Sequence, residues 1–327
     1  VCLHVRVAPP HYDAAVYCRI STAVHNGKLK AEVDQIRALH DIYPEFMVPV
    51  LHDGLAAGRQ FYILEKKDAL PLSEIVFDER RPLAQRRMIV HHALGGIQKA
   101  ISMEMNGQAT LANDMPARLL EEWEGIRFAH DLFDKQILLN GVRFSMTGRD
   151  VFEKALVLAR TETFSAVEKA HFNFHFGNVL YNEGRSQVSF IDPDFSVRGI
   201  DPYFGFSRFA FSFWHELAAE TEDAVKMVPM SDALMFVLRK PDYGNILSEI
   251  PEIGRITGLL PWVDEHMQKK FYVLTTYCFL RSIRINGSKG QWSVPRFPVV
   301  ARPEEVLTLG LLAYLEGPNV EPESTRA

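Results

Sequence analysis

Residues 170–181 read AHFNFHFGNVLY. Two histidines and two asparagines stand among three phenylalanines, more polar groups than a hydrophobic core needs in so short a span. His171, Asn173 and Asn178 follow the spacing H-x-N-x4-N, and FIDPDF farther on carries Asp192 and Asp194. Hard cations such as Mg²⁺ take oxygen ligands, commonly a carboxylate and an amide beside phosphate oxygens. NVLY and QVSFID, joined by NEGRS, have the pattern of a hairpin. Antiparallel pairing would bring Asn178 and Asp192 to one end of it, with Asn173 overhanging the same spot. The chemistry within reach is metal-assisted work on a phosphate. One residue is out of keeping: Asn173 puts an amide where such chemistry more often uses a carboxylate.

Other readings of these residues stay open. His171 and His175 are four apart, as on a zinc helix, but HFNFH lacks the glutamate beside the first histidine and the third ligand such a site needs. Phe172, Phe174 and Phe176 alternate like a packed strand face. Asp194 is read either as a ligand or as a turn residue.

The elements that must hold this set come in two textures. Up to Lys67 the pattern is mostly strand. VCLHVRV alternates and breaks at Pro9-Pro10, and AAVYCRIS is a second strand. In KLKAEVDQIRALHDIY, Leu29, Val33, Ile36 and Tyr43 share a helical face, and Pro44 ends the run. VPVLHDGLAAGRQFYILE is a hairpin with Gly58 in its turn. Beyond Lys67 the spacing predicts helices over Pro82–Met105, Pro116–Leu138 and Asp150–Ala170, the last with Asp150 and Glu153 as a capping box. Val263–Ile285 is apolar almost all round, as a buried central helix would be. A small β-rich part, residues 1–67, therefore precedes a large, mainly helical part, residues 68–327, in an α+β chain. The polar cluster falls where a helix meets the mid-chain hairpin.

Composition excludes several classes. The chain of 327 residues is 47% hydrophobic and 24% charged, ordinary for a globular protein with a sizeable core. Its formal net charge of -5 and lack of a long basic run leave no electrostatic footprint for nucleic acid or an anionic membrane. Cys2, Cys18 and Cys278 are too scattered for a metal site or disulfide framework, which fits a reducing, cytoplasmic compartment. No apolar run approaches the ~18 residues of a membrane span, and no signal peptide is visible. The first residue is Val1 rather than methionine, so an upstream segment is one expectation.

The string HFNFHFGNVLY…FIDPDF…GIDPYFGFSRF resembles the catalytic segment of the aminoglycoside phosphotransferase and choline kinase-like family, a branch of the protein-kinase-like fold. That family reads H-G-D-x-H-P-G-N-V-L, then I-D-x-x, then G-D-P-x-x-D. His171, His175, Gly177, Asn178 and Asp192 match it; Gly199, Asp201 and Pro202 approximate the last motif with Ile200 inserted. The departures are Asn173 at the catalytic aspartate, Phe172 and Phe176 for the glycine and proline, and Gly205 near the place of the closing aspartate.

The resemblance implies a two-lobe fold, with residues 1–67 as the nucleotide-binding lobe and 68–327 carrying the catalytic loop and acceptor pocket. It implies ATP and Mg²⁺ as cofactors, Asn178 and Asp192 as metal ligands, and His171, Asn173 and Asp192 as the catalytic set. In that fold a strand lysine, paired to a glutamate on the next helix, holds the nucleotide phosphates. Here the strand offers Arg19 and the helix Glu32, which lies on the apolar face and so needs a partner. FYILEKKDALPLSEI resembles the hinge, with the backbone from Glu65 to Lys67 placed for adenine. No glycine-rich loop is found; it would lie upstream of Val1 or be missing. The implied activity is phosphoryl transfer from ATP to a hydroxyl of a small molecule. Asn173 leaves three accounts open: a natural loss giving a pseudokinase that binds nucleotide or a partner, an engineered Asp-to-Asn change, or an enzyme that works without a base there.

Overall fold

A computed structural model of the chain describes residues 2–6, 15–20, 26–78, 80–106, 108, 111–112, 114–194, 197–220, 225–230, 232–238, 264–288 and 310. In chain order its elements are β1 (Cys2–Arg6), β2 (Ala15–Ile20), α1 (Asn26–Ile42), β3 (Val50–Ala56), β4 (Arg59–Glu65), β5 (Leu70–Pro71), α2 (Leu72–Val76), α3 (Leu83–Asn106), β6 (Leu111–Ala112), α4 (Met115–Gly125), α5 (His130–Phe133), β7 (Gln136–Leu139), β8 (Val142–Arg143), α6 (Gly148–Thr161), β9 (Ser165–Ala166), β10 (Val179–Asn182), β11 (Gln187–Phe190), α7 (Phe204–Glu220), β12 (Val225–Pro229), β13 (Ala233–Leu238) and α8 (Glu265–Ser288). Helix and strand are mixed along the whole chain. Two compact units emerge: Val1–Asn113 with Ser165–Gly205, and Asp114–Phe164 with Phe206–Ala327. Lys67, where the sequence changes texture, lies inside the first.

In the first unit an antiparallel sheet has the order β1-β2-β4-β3. Ala57 and Gly58 make its β3–β4 turn with φ of 50° and 73°, the twist a two-residue hairpin turn demands. α1 packs on this sheet through Leu29, Val33, Ile36 and Leu39, all buried. Tyr43 is buried too and ends the run before Pro44. The β10–β11 hairpin joins β5 in a second, three-stranded sheet. α3 lies close against that hairpin: a Cβ at Gly96 would sit 3.3 Å from Val188. Val90, Ala93, Leu94, Ile97 and Ile101 line its buried face.

In the second unit α8 packs against α4 and α6. Every residue of α8 from 271 to 280 is buried, as its all-round apolarity requires. Trp123 stacks on Phe152 with ring centroids 4.2 Å apart. The buried carboxylate of Glu122 is held by Arg284 through two guanidinium nitrogens, the paired arrangement a buried charge needs.

Three expectations are corrected. Pro116–Leu138 is not one helix: α4 stops at Gly125, a 3-10 turn and α5 follow, and β7 covers Gln136–Leu139. Ile137 and Leu139 are buried while Gln136 and Leu138 are half-buried. That period of two is fixed by parallel pairing to the distant β13, which no local window reveals. The helix read from Asp150 to Ala170 runs from Gly148 to Thr161, and its capping box is Thr147 with Asp150 rather than Asp150 with Glu153. The part read as mainly helical also holds a four-stranded sheet of β12, β13, β7 and β8 that the sequence did not suggest. The start of the helix read at Val263 lies outside the described residues.

Candidate functional site

The segment that enters the site has its main-chain polar groups tied down before it turns. Lys169 donates its N–H to Gln108 Oε1 over 2.8 Å and accepts from Gln108 Nε2 at its carbonyl. The carbonyl of Ala170 accepts from Gln35 Nε2, on α1, at 2.8 Å. The N–H of His171 goes to Glu104 Oε1, on α3, at 2.8 Å, and its carbonyl accepts from the Asp194 N–H at 2.9 Å. Buried main-chain groups must be satisfied; here α1, α3, Gln108 and the segment that follows the hairpin do so between them.

The chain then bends sharply. Phe172 takes a φ of 54°, the left-handed region that glycine enters freely and a bulky residue enters at a cost of about 1–2 kcal/mol. Its ring is buried and lies edge-on to Phe204. Burying a phenylalanine contributes about 1.5–3 kcal/mol, enough to offset the strain. So Phe172 takes a backbone conformation that glycine adopts more readily.

His171 is fully buried, stacked on Phe174 with centroids 4.4 Å apart and edge-on to Phe190. Burial pushes its pKa down to about 3, with the charge of Asp192 acting the other way. The imidazole is therefore neutral at ordinary pH. Its Nδ1 faces the Asn173 N–H at 3.4 Å, which puts the ring proton on Nε2. The flanking rings, not a metal, take the surroundings of His171, and the zinc-helix reading falls because residues 171–175 are not helical.

Asn178 stands where the hairpin begins and Asp192 just after it ends, as pairing of β10 with β11 predicts. The amide nitrogen of Asn178 faces two carbonyls, those of Asn173 and Asp192, each at 3.2 Å. Only an NH₂ can satisfy both, so its orientation is set and Oδ1 is the atom left for a ligand. Asp192 has a φ of 55° and a half-exposed side chain. Asn173 is also half-exposed; its Nδ2 donates to the Asp192 carbonyl at 2.9 Å. The region thus offers one amide oxygen and one carboxylate, a sparse oxygen set that suits Mg²⁺ with most of its shell left to water and phosphate. No group of three or more His, Cys, Asp or Glu able to hold a metal occurs among the described residues.

Arg19 lies on β2 directly across from Tyr62 of β4; the placement of its side chain lies outside what is described. Glu32 is buried, and the Tyr62 hydroxyl donates to it. Tyr62 is thus a partner for Glu32 that the sequence did not suggest. Glu65 and Lys67, at the end of β4, pair with each other at 2.7 Å and are both half-buried.

The carboxylate of Asp201 is buried and accepts from the Ser165 and Tyr203 N–H groups, each at 3.1 Å, while its carbonyl accepts from Phe204. These bonds organise the start of α7. Gly205 follows for a steric reason: a Cβ there would lie 2.5 Å from the ring of Phe174. An aspartate cannot occupy 205 while Phe174 stacks on His171.

Sequence reasoning missed Glu104, Tyr43, Gln35 and Gln108. One signal was available. Glu104 follows Ile97 and Ile101 on the same helical face, a carboxylate on an apolar stripe just like Glu32.

No protein-family model matches the chain, and no curated protein matches it. Among solved structures it is similar to one described as "Putative fructosamine-3-kinase" from Haemophilus somnus 129PT. The two share 11% identity and a TM-score of 0.44, over 92% of this chain and 84% of that one. A likeness of that strength assigns neither a family nor an activity.

Proposed function

We propose that this chain is a kinase-like phosphotransferase that binds ATP with Mg²⁺ and acts on a hydroxyl of a small molecule. The observation that carries the reading is Asn178: with both amide protons committed to the main-chain carbonyls of Asn173 and Asp192, its Oδ1 is left for a ligand at the end of the hairpin where Asp192 also lies. An amide and a carboxylate so placed are the ligands a magnesium–phosphate complex takes from a protein. When bound, the ion would screen the phosphate charge. The motif resemblance supports the same assignment and adds Arg19 and Glu32 toward the phosphates, the Glu65–Lys67 backbone toward adenine, and a lobe boundary near Lys67.

The chain's own residues would then act by positioning. Buried, neutral His171 holds the loop by its stacking. Asn173 brings an amide, which can orient a hydroxyl by hydrogen bonding but is no base. Phosphoryl transfer depends mainly on positioning and electrostatics, and loss of a general base typically lowers rate by about 10²–10⁴-fold. Slow turnover is the expectation.

A second reading is favoured by one contact. Asn173 uses its amide nitrogen as a donor to the Asp192 carbonyl, a bond no carboxylate makes. The asparagine is thus part of the loop's architecture, as suits a pseudokinase that binds nucleotide without transfer.

Melting in the presence of ATP, Mg²⁺ or both tests nucleotide binding, which stabilises the folded state by mass action. The expected result is a rise that needs both and loses its Mg²⁺-dependent part in Asp192→Ala. No rise at millimolar ATP with Mg²⁺ would end both readings. Transfer from labelled ATP across a panel of hydroxyl-bearing metabolites then separates them, since the second predicts binding with no product.

A further inference from the structure

Glu104 has no place in the proposed phosphotransfer, yet it is fully buried on the face of α3 that meets the entering segment. Its Oε1 accepts from the Tyr43 hydroxyl at 2.9 Å and from the His171 N–H at 2.8 Å. Its Oε2 is buried and has no hydrogen-bond partner among the described residues. One turn on, Gln108 grips Lys169 at both its N–H and its carbonyl. Glu104 near the end of α3 and Gln108 beyond it therefore form a polar clamp on residues 169–171, immediately ahead of the bend at Phe172.

A bare carboxylate oxygen in such a place is costly, because a buried anion without a partner loses far more solvation than a neutral group. The titratable groups facing Glu104 are Tyr43, which follows α1, and His171, in the loop. Neither supplies positive charge: burial raises the tyrosine further above its usual range and drives the imidazole toward the neutral form. No cation among the described residues pairs with Glu104. A proton on Oε2 removes the anion and leaves Oε1 as the acceptor for both donors.

We propose that Glu104 is the positioning residue of the 171–178 loop and does this as an uncharged carboxyl group. One oxygen ties the end of α1, through Tyr43, and the loop, through His171, to α3. Release of the proton would put an uncompensated charge under the bend and loosen the loop, and with it the carbonyl of Asn173 that orients Asn178. Burial raises the Glu104 pKa to about 8, which sets the direction of that loosening toward alkaline pH.

The test is hydrogen exchange of the peptide covering residues 170–178 in the full chain, corrected for the intrinsic pH dependence of exchange, from pH 6 to 9. It needs no nucleotide, so its outcome is independent of the kinase reading. Protection in the wild type should fall at least tenfold across that range. Glu104→Gln keeps the acceptor oxygen and cannot ionise, so it should match the wild type at pH 6 and stay flat to pH 9. Glu104→Ala should be weakly protected at every pH. If the alanine variant does not fold, the pH profiles of the wild type and the glutamine variant decide alone. The proposal is overturned by a flat wild-type profile, by a glutamine variant that loses protection at pH 6 or does not fold, or by an alanine variant that matches the wild type.

Discussion

The amide nitrogen of Asn173 donates to the main-chain carbonyl of Asp192 across 2.9 Å. The amide of Asn178 reaches the same carbonyl at 3.2 Å, so Asp192 is held by two amide donors at the end of the hairpin. The Asn173 bond makes the substitution Asn173→Asp informative, since an amide donor would become an acceptor facing an acceptor.

Asn173→Asp should therefore lower stability by about 1–2 kcal/mol, the loss of one half-buried hydrogen bond plus repulsion. Mg²⁺ should restore part of it, because the new carboxylate adds a third oxygen to the Asn178–Asp192 pair. Urea unfolding of both proteins with and without Mg²⁺ reads this directly. An Asn173→Asp protein as stable as the wild type would mean that the amide bond contributes nothing.

Gly205 and Phe174 should behave as a coupled pair. Gly205→Ala would ordinarily gain up to ~1 kcal/mol at a helical position. Here the added methyl meets the Phe174 ring at 2.5 Å, and overpacking of this kind costs about 1–3 kcal/mol. The expected single-mutant loss should shrink in a Phe174→Leu background. A double-mutant cycle with no interaction energy would show that the ring moves aside freely.

At Phe172 the comparison of two truncations isolates the backbone. Phe172→Ala loses the buried ring, about 3–5 kcal/mol. Phe172→Gly loses the same ring but relieves the 54° φ, so it should be the more stable of the two by roughly 1 kcal/mol. Equal denaturation midpoints would place the left-handed φ in doubt.

Two buried groups set the pH dependence in opposite directions. The folded state keeps a proton on Glu104 from its ordinary 4.5 up to about 8. That contribution is whole below 4.5 and drains away as pH rises to 8. The unfolded chain takes a proton on His171 below 6.5 that the fold refuses until about 3. That contribution is whole above 6.5 and is lost as pH falls toward 3. Their slopes cancel between, so together they give a plateau from about 4.5 to 6.5 with stability falling on both sides. Melting temperature across pH 3–9 should show Glu104→Gln without the alkaline fall and His171→Phe without the acid one. Variants that keep both falls would assign them to other residues.

The outline of the first unit was legible because it is written locally. Period-two runs gave β1 through β4, the apolar stripe and Pro44 bounded α1, and the length of NVLY-NEGRS-QVSFID was enough to bring Asn178 and Asp192 to one end of a hairpin. Hairpin pairing joins neighbours in the chain, so spacing alone carries it.

What the sequence by itself determined is which chemical groups are present and which local elements carry them: an amide and a carboxylate flanking a hairpin, a carboxylate on the apolar face of α1, and an amide at Asn173. Only the tertiary structure decided how those groups are oriented and what they meet. The β7–β13 pairing, the Tyr62 hydroxyl on Glu32, the Phe174 ring over Gly205 and the Glu104 oxygen under His171 all join residues far apart in the chain. A side chain's partner, its burial and hence its charge state depend on packing between such distant segments, and no local spacing encodes that.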